Sequence, residues 1–323
     1  GYHTFMKHRL NMNKIKGAIP LIDPSFLNTP QFISKGLSDI FNCQLMVKIE
    51  TLNPIKSFKG RGAELLIAQI EEYDPIVCAS AGNFGQAMAY ACQKKRIPLT
   101  VFASKNANIY KIEMMRSFGA VVKLMGQDFD EAKIIAKTFA AEQEMQFFED
   151  GEDLETLAGA GTIGLELLKF PDTLDTLLIP LGNGALFSGI GRVFKEFSPR
   201  TELIAVQSEG APSMVESIRS QKLITYPSVN TISDGIAIRL PVKQSLIDLA
   251  HIIDDALLVS DNTTLKAMKL LHQHLGIACE PSAAVGIAAM ADNKNRWRNK
   301  KVGVIICGSN LAPDQFKNWI MNG

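Results

Sequence analysis

The sequence has few of the features that mark secreted, membrane-spanning or metal-cluster proteins. Cysteine is scarce, with five among 323 residues, and the odd number and irregular spacing favour reduced thiols over a disulfide framework. No run reaches the roughly 18 to 20 apolar residues of a membrane-spanning helix, and the N-terminus lacks the apolar core of a signal peptide. The sequence therefore predicts a cytoplasmic protein without a membrane partner.

An excess of charge of one sign is also missing. Thirty-four Lys and Arg face 33 Asp and Glu, a formal net charge of +1, so no basic surplus exists to attract nucleic acid. With 46% hydrophobic and 21% charged residues, the composition indicates a globular chain of about two domains. The chain starts on Gly1 rather than Met, which leaves open whether residues 1–5 are a tag remnant.

Apolar runs of strand length alternate with segments of helical period. This rhythm predicts an α/β fold with open, mostly parallel twisted sheets covered by helices, and a ligand in the cleft between two such units. The predicted strands are 45–49, 76–79, 99–103, 121–125, 174–179, 203–206 and 302–306. The predicted helices include 60–73, 86–95, 109–118, 129–143 and 187–197.

Lys59 is the first candidate for chemistry. It lies in the segment Ser-Phe-Lys-Gly-Arg-Gly-Ala at 57–63, just before a helical pattern. A lysine amine attacks an aldehyde only when it is deprotonated, and burial and the positive end of a helix dipole both disfavour its ammonium form. Taken alone, Lys59 is better explained as a solvated charge between Lys56 and Arg61, so the surrounding segments decide its interpretation.

A polar loop follows the predicted strand at 76–79 and precedes a helical pattern. Its backbone N–H groups predict binding of a small anion, for which a substrate carboxylate is the natural candidate, while the Asn83 side chain could donate to a ring oxygen. In isolation, an ordinary helix cap is the better explanation of the loop. The predicted substrate-binding residues are Ser80, Ala81, Gly82, Asn83, Phe84 and Gly85.

A second loop, Gly-Asn-Gly-Ala-Leu at 182–186, follows another predicted strand and opens a helix, which is the general layout of a phosphate site. It matches neither G-x-G-x-x-G nor the nucleotide loop that ends in Gly-Lys-Ser/Thr, so nucleotide binding is disfavoured. Together, Lys59 and the two loops predict a lysine Schiff base with a phosphate clamp. That arrangement is expected of an enzyme that uses pyridoxal 5'-phosphate.

These segments resemble the fold type II pyridoxal-phosphate-dependent enzymes, the tryptophan synthase beta superfamily, and most closely its threonine/serine dehydratase branch. Further matching segments follow in order at 159–166, 209–214, 231–237, 280–284 and 307–310. The resemblance implies a large cofactor-binding domain of residues 1–45 plus 153–323 and a small inserted α/β domain of residues 46–152. It also implies that the cofactor lies in the interdomain cleft and that the protein is a homodimer.

The resemblance also implies roles for matching residues. Lys59 would hold the cofactor as a Schiff base and act as the catalytic base, and Cys307 would face the pyridine nitrogen. A neutral thiol does not supply the anion that would keep that nitrogen protonated, which suits β-elimination better than chemistry that needs a long-lived carbanion. The implied cofactor-binding residues are Phe58, Lys59, Asn83, Gly182, Asn183, Gly184, Ala185, Leu186, Gly235 and Cys307.

The implied reaction is deamination of a small amino acid, L-threonine or L-serine, by β-elimination to a 2-oxo acid and ammonia. Alternatives on the same scaffold are β-replacement, threonine synthase-like chemistry, 3-hydroxyaspartate ammonia-lyase activity, and binding of cofactor and amino acid without turnover. Racemisation is disfavoured because Ala81 stands where racemising relatives have Ser. The end of the chain at Gly323 predicts no regulatory domain of the kind found on biosynthetic threonine dehydratases.

Three further departures from the family pattern bear on the site. Lys56 stands where relatives have Gly, and Phe84 replaces a His that is common in dehydratases, so both bear on substrate choice. Gln207 and Ser213 stand where cation-binding relatives have carboxylates, and hard cations prefer anionic oxygen ligands. We therefore expect no metal site.

Overall fold

The structure, a computed structural model, describes residues 7–322, which form two β-sheets covered by helices. The question of a tag remnant at residues 1–5 falls outside the described residues. The strands in chain order are β1 Gln31–Ile33, β2 Gln44–Ile49, β3 Ile76–Ala79, β4 Leu99–Ala103, β5 Val121–Leu124, β6 Gln146–Phe148, β7 Thr176–Pro180, β8 Glu202–Ser208, β9 Asp255–Val259 and β10 Lys301–Ile306.

The helices alternate with these strands. Short 3-10 turns at Ile19–Leu21, Pro24–Phe26 and Asp234–Ile236 and a π-helical turn at Phe316–Met321 complete the described elements. The α-helices are α1 Met12–Ala18, α2 Lys35–Phe41, α3 Gly60–Ala68, α4 Asn83–Lys95, α5 Ile109–Ser117, α6 Phe129–Glu142, α7 Leu154–Leu167, α8 Ala185–Phe197, α9 Ser213–Ser220, α10 Lys243–Leu249, α11 Asp261–Leu275, α12 Pro281–Asp292 and α13 Pro313–Gln315.

The larger sheet has six strands in the order β1-β2-β10-β7-β8-β9, and only its edge strand β1 runs antiparallel. The smaller sheet has four parallel strands in the order β5-β4-β3-β6. Parallel sheets need cover on both faces, and β7 and β3 accordingly have every residue buried. The carboxyl ends of β3 and β7 each lead into a loop that opens a helix, which is how both predicted anion loops are positioned.

Helices α3, α7 and α8 pack closely because small residues lie where they cross. A Cβ on Gly159 of α7 would lie 2.3 Å from the backbone nitrogen of Gly62 on α3, and a Cβ on Gly189 of α8 would lie 2.4 Å from the Leu157 carbonyl oxygen. Glycine at these positions lets the backbones approach to a distance that any side chain would prevent. This packing fixes α3, and with it the residue just before that helix, Lys59.

The predicted α/β class is confirmed, and each of the seven predicted strands is present with its bounds shifted by at most two residues at either end. Strands β1, β6 and β9 were not predicted from the sequence. The predicted domain boundary at residue 46 falls inside β2, which pairs with β10 in the larger sheet. A boundary after residue 49 fits the sheet assignment better, and the division into two domains stays a prediction.

Candidate active site

Lys59 lies at the N-cap position of α3, and its amine faces a cavity. Its Nζ lies 2.5 Å from Asp150 Oδ2 and 4.8 Å from the centre of the Phe58 ring. The amide of Phe58 donates to the Cys307 carbonyl oxygen at 3.0 Å, which ties the lysine segment to the end of β10. The side chain is 14% exposed, so Lys59 is a largely buried amine with a single carboxylate partner.

A buried charge network holds the helix that begins at Lys59. Arg61 is fully buried, and its guanidinium donates to Glu50 at the end of β2 and to Glu166 of α7 at 2.5–3.1 Å. Lys48 of β2 donates to the same Glu166 at 2.8 Å. Burial alone would raise the pKa of Glu166, but Arg61 and Lys48 outweigh it and lower that pKa to about 2. The network joins β2, α3 and α7 into one support for the lysine.

The 182–186 loop presents backbone amides at the start of α8, a helix of 13 residues. Among residues 7–322, the amides of Gly182, Asn183, Gly184 and Leu186 have no protein acceptor, whereas the Ala185 amide donates to the Asn183 side chain at 3.1 Å. Gly184 has φ +102°, a conformation that favours glycine. Four unpaired amides at the positive end of a helix form a site for a phosphate group.

The 80–85 loop is partly self-satisfied. The Ser80 hydroxyl accepts hydrogen bonds from the amides of Gly82 at 2.9 Å and Gly85 at 2.8 Å. Across the described chain, the amides of Ala81, Asn83 and Phe84 have no protein acceptor. The loop therefore offers three amides at the start of α4 for a small anion, and Ser80 shapes the loop that presents them.

The Asn83 side chain is held by the larger sheet's side of the cavity. Its amide nitrogen donates to Glu280 Oε1 at 3.0 Å, and its oxygen accepts from Asn310 at 2.8 Å. Glu280 also accepts from Lys111 at 3.0 Å, and Lys111 reaches Asp234 at 3.0 Å. Burial alone would lower the pKa of Lys111, but the charges of Asp234 and Glu280 outweigh it and raise that pKa. Lys111 thus ties α5 to two carboxylates across the cleft.

Cys307 follows β10 and lies on the wall of the same region. Burial, reinforced by the nearby charge of Glu280, raises the pKa of the Cys307 thiol to about 12. The thiol is therefore neutral at physiological pH. A ring nitrogen beside it would find a hydrogen-bonding group without negative charge, as the sequence prediction requires.

Two adjoining cavities bring the predicted residues together. One is lined by every predicted cofactor-binding residue except Ala185. The other is lined by every predicted substrate-binding residue except Gly85. Both are lined by Lys59, Asn83, Asn183 and Gly235, so the lysine stands where they meet. The geometry brings the predicted residues to one site, and their individual roles stay predictions.

Six residues that line the substrate-side cavity were given no role in the site by the sequence analysis: Ala79, Lys111, Phe129, Asp150, Asp234 and Ile238. Asp150 follows β6 directly after Glu149, at the carboxyl end of a strand, where catalytic groups of parallel sheets collect. Recognising β6 would have given the signal. Only the end of the small domain, at residue 152, was placed in this stretch from the sequence.

Gln207 and Ser213, which stand where cation-binding relatives have carboxylates, pair with other groups of the protein. Gln207 Oε1 accepts from the Val215 amide at 3.1 Å, and the Ser213 hydroxyl donates to the Ile238 carbonyl oxygen. Among the described residues, no group of three or more His, Cys, Asp or Glu side chains is arranged to hold a metal ion.

No helix of the described chain has the length and apolar character needed to cross a membrane.

Comparison with known proteins assigns the family. The model for "Pyridoxal-phosphate dependent enzyme" matches residues 22–308, and the chain belongs to this family. An L-threonine ammonia-lyase of Thermotoga maritima is 32% identical over 293 residues, which are 90% of this chain and 73% of that protein. A catabolic L-threonine dehydratase of Staphylococcus aureus is 32% identical over 323 residues, 98% of this chain and 93% of that protein.

Solved structures give the same assignment. Maize serine racemase superposes with a TM-score of 0.87 at 27% identity, over 95% of this chain and 96% of that chain. The predicted family, the fold type II architecture and the use of pyridoxal phosphate are confirmed. The protein is a pyridoxal-phosphate-dependent enzyme, and the groups that line its site determine which substrate it accepts.

Proposed function

We propose that this protein is an ammonia-lyase that deaminates a hydroxyamino acid, L-serine or L-threonine, by β-elimination to a 2-oxo acid and ammonia. The observation that carries the proposal is the position of the Lys59 amine between two amide-lined anion sites in adjoining cavities. One site suits a phosphate and the other a carboxylate. The relatives named as L-threonine ammonia-lyase and L-threonine dehydratase support the same reaction.

The residues present fit pyridoxal phosphate. The four unpaired amides of the 182–186 loop would hold its phosphate, and Lys59 would hold it through a Schiff base. A Cβ on Gly235 would lie 2.9 Å from Ser282 Oγ, and one on Gly182 would lie 3.1 Å from the Gly235 carbonyl oxygen, so these two positions on the cavity wall leave little room for a side chain. When bound, the cofactor supplies an electron sink for negative charge that develops at the substrate Cα.

Different groups of the protein bind the substrate, move the proton and exclude water. The amides of Ala81, Asn83 and Phe84 bind the substrate carboxylate and fix the orientation of Cα. Once the substrate amine has taken the place of Lys59, the freed Lys59 amine removes the Cα proton and passes it to the β-hydroxyl, which leaves as water. Phe84 and the ring of Phe58 are buried beside the amine and limit the access of water to it.

Elimination is favoured over racemisation by two observations. The neutral Cys307 thiol does not stabilise a protonated ring nitrogen, so charge at Cα is relieved best by rapid loss of the β-hydroxyl. Ala81 offers no proton donor in the loop that follows β3. Although maize serine racemase shares this fold, we propose that the present protein does not invert its substrate. β-Replacement would need a second nucleophile in the same cavity and shares every step assigned here to the protein.

We also propose a cytoplasmic homodimer. All five cysteines are free and buried, as expected of thiols kept reduced in the cytoplasm. Six exposed apolar side chains lie between residues 19 and 52, and exposed apolar groups are common in protein interfaces. They are Ile19, Leu21, Phe32, Ile33, Ile40 and Leu52. Sedimentation of the purified protein tests this, because a monomer at micromolar concentration would contradict it.

The direct test of the reaction is to incubate the cofactor-loaded protein with L-serine and with L-threonine and to quantify 2-oxo acid and ammonia. We expect the two products in equal amounts, with no D-amino acid formed. Lys59→Ala should release neither product. Lys195→Ala is the matched control, because Lys195 is a surface lysine on α8 that pairs with Asp254, and it should leave turnover unchanged. A wild-type protein that binds both amino acids and releases no 2-oxo acid would contradict the proposal.

A further inference from the structure

Asp150 is a buried carboxylate that neither anion site explains. Its side chain is 8% exposed and lines the substrate-side cavity together with Lys59. Its Oδ2 lies 2.5 Å from Lys59 Nζ, and within residues 7–322 its other oxygen accepts no hydrogen bond. A buried carboxylate is strongly destabilising unless a cation or hydrogen-bond donor pairs with it. The identity of that partner in the working enzyme therefore matters.

The pairing with Lys59 is incomplete in the working enzyme. Once a substrate has taken its place on the cofactor, the Lys59 amine is free, and it has to be neutral to remove the Cα proton. A neutral amine is a weaker partner for a buried carboxylate than an ammonium group, and the second oxygen of Asp150 has no donor within residues 7–322. A donor on the bound substrate can therefore pair with Asp150.

The remaining charges of this cavity do not supply that donor. Lys111 is 1% exposed and is shared between Asp234 and Glu280, at 3.0 Å from each. Apart from Lys59, the only cation that lines this cavity in the described chain is Lys111, which pairs with Asp234 and Glu280, and Asp150 lines the same cavity. The amides of the 80–85 loop receive the substrate's own carboxylate, whereas a second negative charge would meet this surplus of carboxylates.

The opening next to this cavity also has more carboxylates than cations among its described lining residues. It shares Ala81, Phe129 and Asp234 with the cavity and is also lined by charged side chains of both signs. Arg239 is the only cationic side chain that lines this opening in the described chain, and it donates to Asp128. The approach to the site therefore presents no unpaired cation to an incoming carboxylate.

We propose that Asp150 is a substrate-binding residue that pairs with the group on the substrate Cβ. The Lys59 nitrogen marks where an amine lies in this cavity, and the substituent on Cβ is only three bonds from an amino acid's own amine. The inference rests on the proposed function and narrows its substrate class. The site accepts a hydroxyl or an ammonium group on Cβ and excludes a second carboxylate, so L-threo-3-hydroxyaspartate is a poor substrate.

The first test measures binding without turnover. The visible absorbance of the bound cofactor is followed while the holoenzyme is titrated with L-alanine or L-aspartate, neither of which has a leaving group on Cβ. We expect wild-type protein to bind L-aspartate at least tenfold more weakly than L-alanine. Asp150→Asn should reduce that ratio at least tenfold. Glu152→Gln, which neutralises an exposed carboxylate two residues away, should leave the ratio unchanged.

The second test compares turnover. The kcat/KM values for L-serine, L-2,3-diaminopropionate and L-threo-3-hydroxyaspartate are measured by release of 2-oxo acid. We expect wild type to favour the first two by at least tenfold, and Asp150→Asn to shift this preference toward the hydroxyaspartate by at least tenfold. An equal loss for all three substrates would overturn the inference, because Asp150 would then act only through Lys59.

Failure of the inference and failure of the proposed function give different results. If no substrate yields a 2-oxo acid, the proposed reaction is wrong, while the absorbance titration still reports whether the site rejects a second carboxylate. Equal wild-type affinity for L-alanine and L-aspartate overturns the inference even if L-serine is deaminated. Since the preference of the wild-type protein needs no variant, an Asp150→Asn protein that does not fold leaves the test intact.

Discussion

Lys59 and Arg61 are two cations separated by one residue at the start of α3, and their surroundings are opposite. Arg61 is fully buried and has the carboxylates of Glu50 and Glu166 on either side, so every charge in its network has a partner within the protein. Lys59 has the single partner Asp150 and faces a cavity. A saturated buried network holds structure together, whereas an incomplete one beside a cavity is completed by a ligand.

The largest expected effect that separates the two residues is on catalysis. Lys59→Ala removes the amine that holds the cofactor and moves the Cα proton, and should lower 2-oxo acid release by about 1,000-fold or more. The free energy of unfolding of the cofactor-free protein should fall less than it does for Arg61→Ala. Turnover assays and urea unfolding of the same samples measure both quantities. If Lys59→Ala still deaminates the substrate, Lys59 is not the catalytic amine, and the functional contrast with Arg61 is wrong.

Arg61→Ala should show the reverse. It leaves Glu50 and Glu166 buried without their cation, and breaking a buried ion pair in this way costs about 3–5 kcal/mol. Urea unfolding of cofactor-free protein measures the loss. Lys35→Ala is the matched control, because Lys35 pairs with Asp39 on the surface, where water and salt screen the pair, and its removal should leave stability nearly unchanged. Equal stability of the two variants would contradict a structural role for Arg61.

The segment that contains these two residues also shows how much of the structure could be predicted from the sequence. Their shared segment was recognisable by its resemblance to a family, and the strands around it were predictable because both faces are apolar, as in β3 and β7. Strand β6 has only three residues, one of them exposed, so it gave no such pattern.

The partners of the site residues were less predictable than the site itself. Asp150 is 91 residues from Lys59, and Glu280 is 169 from Lys111, so no local period connects them. Only the sheet order, which places the ends of β3, β6 and β10 around one cleft, brings these groups together. The sequence identified the anion loops from local chemistry, whereas pairing across the cleft needed the fold.

The saturated network should also control acid stability. Because the pKa of Glu166 is lowered from its ordinary value of 4.5 to about 2 in the folded protein, its contribution is fully present above pH 4.5 and is lost as the pH falls toward 2. A shift of that size corresponds to roughly 3 kcal/mol. Unfolding free energies measured between pH 6 and pH 2.5 should fall more steeply in wild type than in Glu166→Gln. Parallel curves would show that Glu166 is not the group responsible.

The smallest expected effect concerns Gly184 in the 182–186 loop, which would hold the phosphate of the cofactor. Gly184 has φ +102°, and a side chain there costs about 1–2 kcal/mol of backbone strain. A new Cβ would lie 3.3 Å from Leu249, so strain rather than collision is the main cost. Gly184→Ala should therefore weaken cofactor binding by about tenfold, measured by absorbance titration of cofactor-free protein with pyridoxal phosphate. Gly17→Ala, on exposed helix α1 with open space around its Cβ, is the matched control. Unchanged cofactor affinity in Gly184→Ala would mean that the loop does not need this conformation to bind the phosphate.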